Sequence, residues 1–284
     1  MRRRFFAENM VRMLTLSLLP MLFLTVIFFA VLVPTEKKSL ESEAEINLSL
    51  LQENVDLLLN DSNKVMNMLA VPAYSNSNSI YQILQSEKLG YVDFVILKQV
   101  AAQLNAIVNS RDYIDSIYVY IPNARGRYLT NQANVYEMAT GPDKDWLSAC
   151  SGDSAYRVIR RRTSLYASAP RDYLTVVQEN SKGYTVAVNI VVSYFKRLFT
   201  NSYLESGRAI VLAEGGKALF SSSQDLDAQD LVGRLEGMTD TGGLLRLDNN
   251  LIMRSYSPNT GLDFISVTPV SLAYANIYRL IGIT

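Results

Sequence analysis

Ser116-Ile117-Tyr118-Val119-Tyr120-Ile121 is the stretch that decides the fold. Aliphatic residues alternate with two tyrosines at a period of two, the pattern of a strand with two chemically different faces. One face offers Ile117, Val119 and Ile121 to a core; the other offers Tyr118 and Tyr120. Upstream of this strand the period is helical. Tyr91 to Asn109 repeats Val95, Val100, Leu104 and Val108 at helical spacing. From Glu36 to about Leu69 the chain reads as one long helix. Ala44, Leu48, Leu51, Val55, Leu58, Val65 and Leu69 alternate steps of four and three, with Ser62 in the one gap. Such a seam serves either its own domain or a second copy of the chain, and both uses stay open. The polar run Asn60-Asp61-Ser62-Asn63 is expected to weaken helical continuity. Tyr74 to Ser79 reads as a polar loop.

Downstream, sheet signals continue. Asn123-Ala124-Arg125-Gly126 is a turn that returns Arg127 to Thr130 as a hairpin. Tyr173 to Gln178 and Tyr184 to Val192 are strands joined by residues 179–183, and Val191 to Leu204 closes the unit as a helix. A smaller unit follows. Ala209 to Leu212 and Ala218 to Phe220 flank Glu214-Gly215-Gly216-Lys217, a hairpin turn. Leu244 to Leu247, Leu251 to Tyr256 and Leu262 to Val267 supply further strands. The apolar run from Tyr274 to Thr284 is either the start of a second membrane helix or an amphipathic tail.

The N-terminus carries the other long signal. Met13 to Val33 holds no charged residue. At 1.5 Å per residue it spans roughly 30 Å, the thickness of a bilayer core. Arg2, Arg3, Arg4 and Arg12 precede it. By the positive-inside rule the N-terminus is cytoplasmic and the rest extracytoplasmic. A cleaved signal peptide is the alternative, although its apolar stretch is normally about 7–15 residues and this one lacks an A-x-A site.

Composition narrows the chemistry. The 284 residues include no histidine, which removes the Ser-His-Asp triad, the Cys-His dyad and His-ligated zinc. Cys150 is the only cysteine, so no intrachain disulfide forms. Twenty-seven basic residues balance 27 acidic ones, which argues against a nucleic-acid surface. No G-x-S-x-G or P-loop occurs. No catalytic residue, metal site or cofactor is expected.

The order of anchor, long helix, mixed sheet, small sheet and second apolar run resembles the double-Cache sensor regions of bacterial receptors over residues 36–270. Ile114 to Tyr120 resembles the family's first distal strand, and Asp145-Trp146-Leu147 its D-x-x-W or DW element. Tyr173 to Gln178, Gly183 and Val186 to Ile190 resemble the two central strands. Gly261 to Pro269 is similar to the run that closes the membrane-proximal sheet, with Leu262 where Trp is common. The resemblance implies an α+β fold: an N-terminal transmembrane helix, a long signalling helix, and two PAS-like (Cache) antiparallel-sheet modules. The corresponding segments are a cytoplasmic tail (1–12), a transmembrane helix (13–33), a long extracellular helix (34–72), a membrane-distal module (73–204), a membrane-proximal module (205–269) and a truncated second membrane helix (270–284).

The resemblance also implies a small-molecule ligand on the tyrosine face of the distal module. Tyr118, Tyr120 and Tyr128 offer flat surface and hydroxyls, Trp146 a stacking wall and Asp145 an acceptor. Arg160 and Arg162 share one face of an extended segment, and arginine forks suit carboxylate or phosphate. Asp172, Tyr173 and Thr175 come from the next strand and Asn189 from the one after. The family's amino-acid binders place an aspartate where Asn189 stands, and a neutral amide cannot neutralise an ammonium. A sugar, small acid or peptide is therefore favoured over an amino acid. The implied role is sensing at the plasma membrane, as a homodimer that passes the signal to a histidine kinase of a two-component system or an AraC-type transcription regulator. A carboxylate-based hydrolase and a structural surface protein are the competing functions.

Overall fold

The computed structural model describes residues 2–70, 77–132, 135–143, 146–149, 156–163, 169–179, 184–202, 207–236 and 243–275. Helix α1 (Arg2–Ala70) runs without a break. Its first part leaves Leu18, Leu19, Met21, Leu22, Phe23 and Leu24 exposed, and together they point in every direction around the axis. Further along, Leu48, Leu51, Val55, Leu58, Val65 and Leu69 turn inward and are buried by this chain's own sheets. The seam is thus used within the chain. Asn60 to Asn63 stays helical: Ser62 is buried and donates to the Leu58 carbonyl at 3.0 Å.

Helix α2 (Ser77–Gln85) begins inside the stretch expected to be a polar loop; Tyr74 to Asn76 lie outside the described residues. Helix α3 (Tyr91–Asn109) is long and apolar enough to cross a membrane. One side of it, Leu97, Val100 and Leu104, joins the same core as α1, while Tyr91, Val92, Phe94 and Val95 stay exposed.

Six strands follow: β1 (Ile114–Tyr120), β2 (Arg127–Thr130), β3 (Val135–Glu137), β4 (Tyr156–Thr163), β5 (Arg171–Glu179) and β6 (Thr185–Val191). A short helix α4 (Trp146–Ala149) lies between β3 and β4, and helix α5 (Val192–Ser202) follows β6. The strands form one antiparallel sheet in the order β3-β2-β1-β6-β5-β4. Ile117, Val119, Leu129, Leu174, Val176, Val186, Val188 and Ile190 fill its helix-facing side. This is the aliphatic side of the β1 alternation.

The second sheet comprises β7 (Ala209–Glu214), β8 (Lys217–Ser221), β9 (Leu245–Leu247), β10 (Asn250–Tyr256) and β11 (Asp263–Pro269), in the order β8-β7-β11-β10-β9. Helix α6 (Ala228–Glu236) covers one side and the turn α7 (Val270–Ala273) ends the described fold. Gly215 and Gly216 both have positive φ, 51° and 77°, as the two-residue β7–β8 turn requires. Without β3, the first sheet has the same strand order as the second. The molecule therefore carries two copies of one sheet plan, and the expected α+β architecture is the one observed.

Both sheets hold α1. Asp56 accepts from Ser257 at 2.7 Å and from Thr260 at 2.9 Å in the β10–β11 turn. One and a half turns on, Asp61 accepts from Arg111 Nε at 2.7 Å and the Tyr113 hydroxyl at 2.6 Å, just before β1. The helix is handed from one module to the other within a few residues.

Candidate functional site

Antiparallel register decides which side chains meet. Residues directly opposite one another share a face of the sheet. Across the first sheet Tyr120 faces Tyr128 and Thr185, Tyr118 faces Ala187, Ser116 faces Asn189, Thr175 faces Asn189 and Tyr173 faces Val191. The face away from α1 therefore gathers Tyr118, Tyr120, Tyr128, Tyr173, Thr175 and Asn189. All six come from the sequence-based set, and alternation brings them together.

Trp146 lies over this face and is fully buried. Its ring stands 5.3 Å from Tyr118, 5.6 Å from Tyr128 and 6.5 Å from Tyr120. Tilted and edge-on contacts of this kind add about 0.5–1.5 kcal/mol per pair beyond area burial. The approach to Trp146 is built by the loop after β3. Gly141 donates to the Glu137 carbonyl at 2.7 Å. A Cβ at Gly141 would stand 2.8 Å from the Tyr128 hydroxyl, so only glycine lets the loop lie this close. The Tyr128 hydroxyl in turn donates to the Asp143 carbonyl at 3.3 Å.

Asp143 and Arg161 form the charged part of the face, and neither belongs to the sequence-based set. In β4 the register pairs Arg161 with Tyr173, Arg160 with Leu174 and Arg162 with Asp172. Arg161 therefore points to the tyrosine side. Arg160, Arg162 and Asp172 lie on the opposite face, away from the tyrosines. Arg160 and Asp172 are partly exposed there, 3.9 Å apart. Arg161 is buried, with 8 % of its side chain exposed, and Asp143 with 3 %. Arg161 donates from Nε to Thr175 Oγ1, from Nη1 to Asp143 Oδ1 and from Nη2 to Asn189 Oδ1, each at 2.9 Å. Thr175 Oγ1 donates to Asn189 Oδ1 at 2.7 Å, and Asn189 Nδ2 donates to Ser116 Oγ at 2.9 Å. A buried pair survives only when such hydrogen bonds satisfy its remaining donors and acceptors.

Satisfaction is incomplete. Asp143 Oδ2 is 2.8 Å from Arg161 Nη1 but lies off the N–H direction and accepts no hydrogen bond. Trp146 Nε1 has no acceptor among the described residues. Buried polar atoms are almost always paired, so these orphans make this face the candidate site. Asp145, the acceptor expected beside Trp146, lies outside the described residues. Among the described residues, no three acidic, histidine or cysteine side chains gather as a metal would require.

Similarity searches find related architecture. No protein-family profile matches the chain, and no curated protein does. Among solved structures, the sensor domain of the V. cholerae histidine kinase DctB superposes with a TM-score of 0.50 at 9 % identity, over 82 % of this chain and 98 % of that one. The ligand-binding domain of the Campylobacter jejuni chemoreceptor Tlp3, in complex with 4-methylisoleucine, superposes with a TM-score of 0.50 at 14 % identity, over 84 % and 94 %. At these identities the likeness shows the fold, which is the one the double-Cache resemblance implies. We call the first sheet distal and the second proximal, after the modules of that resemblance.

Proposed function

We propose that this chain is the extracytoplasmic sensing part of a bacterial membrane receptor, with its small-molecule site on the tyrosine face of the distal sheet. The observation that carries it is the buried Arg161–Asp143 pair and Trp146 on one face, with polar atoms left over. Tyr118, Tyr120, Tyr128, Trp146, Tyr173, Thr175 and Asn189 line the site, joined by Asp143 and Arg161. Residues 1–12 are the cytoplasmic tail and 13–33 the membrane span. The exposed apolar side chains around α1 support that reading, because lipid is the solvent that accepts them. Residues 34–72 are the signalling helix, 73–204 and 205–269 the two modules, and 270–284 a membrane-side segment. Ile46, Leu50 and Leu57 remain exposed on the signalling helix and suit a parallel homodimer. The output is a histidine kinase or an AraC-type regulator.

The preference against an amino acid is revised. It rested on Asn189 being neutral, but Asp143 brings buried negative charge to the same face, and the Tlp3 domain of similar fold holds an amino acid. A ligand with an ammonium group suits Asp143 Oδ2. Ligand binding would act on α1 through the Asp61 clamp, shifting an equilibrium only by its differential affinity for two states.

The test is a thermal-shift screen of the full chain in detergent against amino acids, organic acids, sugars and short peptides. A ligand at 100 times its Kd adds about 2.7 kcal/mol of stability. We expect a hit that Asp143→Asn and Trp146→Ala both abolish. A hit untouched by either variant would remove the site from the tyrosine face, and silence across all four classes would sink the small-molecule reading.

A further inference from the structure

Arg157 is the buried cation that the site described above leaves unused. It sits on β4 opposite Val177, which belongs to the same buried cluster as Trp146 and Tyr118, so it faces the ligand side of the sheet. Only 13 % of its side chain is exposed. Among the described residues its charge partner is Glu179 at 3.7 Å, beyond hydrogen-bond distance, and Nε and Nη1 are buried with no acceptor there. Nε–H and the two Nη1–H groups are three of the five donors of a guanidinium, and leaving buried donors unpaired is costly.

Arg161 cannot do the work of Arg157. Each of its three nitrogens already donates, to Thr175, Asp143 and Asn189. The two arginines are four residues apart on one strand, about 13 Å. In a free α-amino acid the ammonium and carboxylate share one carbon, so a molecule held at Asp143, beside Arg161, does not span that backbone separation. An extended peptide adds about 3.3–3.6 Å per residue, and three or four residues cover the gap. The third orphan, Trp146 Nε1, is an N–H donor, and a peptide supplies the amide carbonyls that a single amino acid lacks.

We infer that Arg157 receives the terminal carboxylate of an extended zwitterion whose ammonium sits at Asp143, the chemistry of a free tri- or tetrapeptide. The inference rests on the distal-face reading and narrows it to amino-acid-built ligands longer than one residue. Arg157 is then the residue that measures length.

Calorimetric titration of the full chain in detergent with L-alanine, trialanine and trialanine C-terminal amide tests it. Trialanine should bind at least tenfold tighter than alanine, and amidation should cost at least tenfold. Arg157→Gln should erase both differences and leave alanine unaffected. The same variant should raise the melting temperature of the unliganded protein, by about 2–4 °C, because a buried guanidinium whose Nε–H and Nη1–H lack acceptors is gone. A merely structural arginine would lower it. Alanine binding with no gain from length, or an amide that binds as well as the acid, overturns the role of Arg157 and leaves the distal site standing. Absence of binding by the whole series, together with silence in the wider ligand screen, overturns both.

Discussion

The distal and proximal sheets share one strand order and differ in what lies on their outer faces. On the proximal sheet, Ala209, Val211, Ala213, Ile252, Ile265 and Val267 meet Leu231, Val232 and Leu235 of α6 in an apolar cluster. Among the described residues the distal sheet has no helix of that length; Asp143 and the four-residue α4 that carries Trp146 cover it, over tyrosines and a hydrogen-bonded Arg161. One copy of the plan has closed its face with a core; the other holds ionised groups there at a cost in stability. A module whose outer face is satisfied by its own side chains has nothing left for a ligand.

The largest expected effect comes from breaking the charged part of that contrast. Asp143→Ala should cost about 3–5 kcal/mol, because it strands Arg161 as a buried unpaired charge. Adding Arg161→Met should recover much of that loss. Denaturant titration of the four proteins of this cycle measures the coupling; simple additivity would mean that the pair is not buried as described. Leu235→Ala on the proximal face should cost about 2–5 kcal/mol as an ordinary cavity mutation and leave the affinity of any distal ligand unchanged. A drop in that affinity would show that the proximal core reaches the site.

A smaller and more selective change separates wall from donor. Trp146→Phe keeps an aromatic ring against Tyr118 and Tyr128 but removes the orphan Nε1–H. Removing a buried unsatisfied donor offsets part of the lost area. The unliganded protein should therefore lose less than about 2 kcal/mol. Ligand binding should weaken by clearly more than the stability changes. Equal effects on both would make Trp146 a core residue only.

The tyrosine face was legible because β1 alternates cleanly, and the helices because their apolar residues recur at three and four. Arg161 was not legible. Val158 and Ile159 are both aliphatic, so period two leaves the parity of β4 undecided, and only the pairing with β5 puts Arg161 rather than Arg160 and Arg162 on the tyrosine side. Asp143 follows Gly141-Pro142 in a loop, where no periodicity reports a direction. Asn60 to Asn63 looked like a break for a different reason. Those residues are polar because Asp61 anchors Arg111 and Tyr113, a tertiary contact across about fifty residues that no local window reveals.

One carboxylate in each module should also respond to pH with opposite sign. Asp61, in the distal clamp, is held below the usual carboxylate range, first by its hydrogen bond from Arg111 and also by that from Tyr113, against an opposing effect of burial. A depressed carboxylate contributes stability that is present above its unfolded value of 3.8 and is lost as pH falls through the lower folded value. Its side chain is 39 % exposed, so solvent screening limits the contribution to about 1 kcal/mol. Glu214, on proximal β7, is raised by burial, against a hydrogen bond from the Val158 backbone that lowers it. Its contribution is present below its unfolded value of 4.5 and is lost as pH rises through the higher folded value. Glu214→Gln keeps an acceptor for Val158 and has no charge to bury. It should be more stable than the parent at pH 7, by about 1 kcal/mol at most, and no more stable at pH 4. Asp61→Asn should be less stable than the parent at pH 7, with a gap that closes only below pH 3.8. Denaturant midpoints of both variants at pH 3.5, 5 and 7 decide this. Two variants shifting in the same direction at pH 7 would mean that one of the carboxylates is not placed as described.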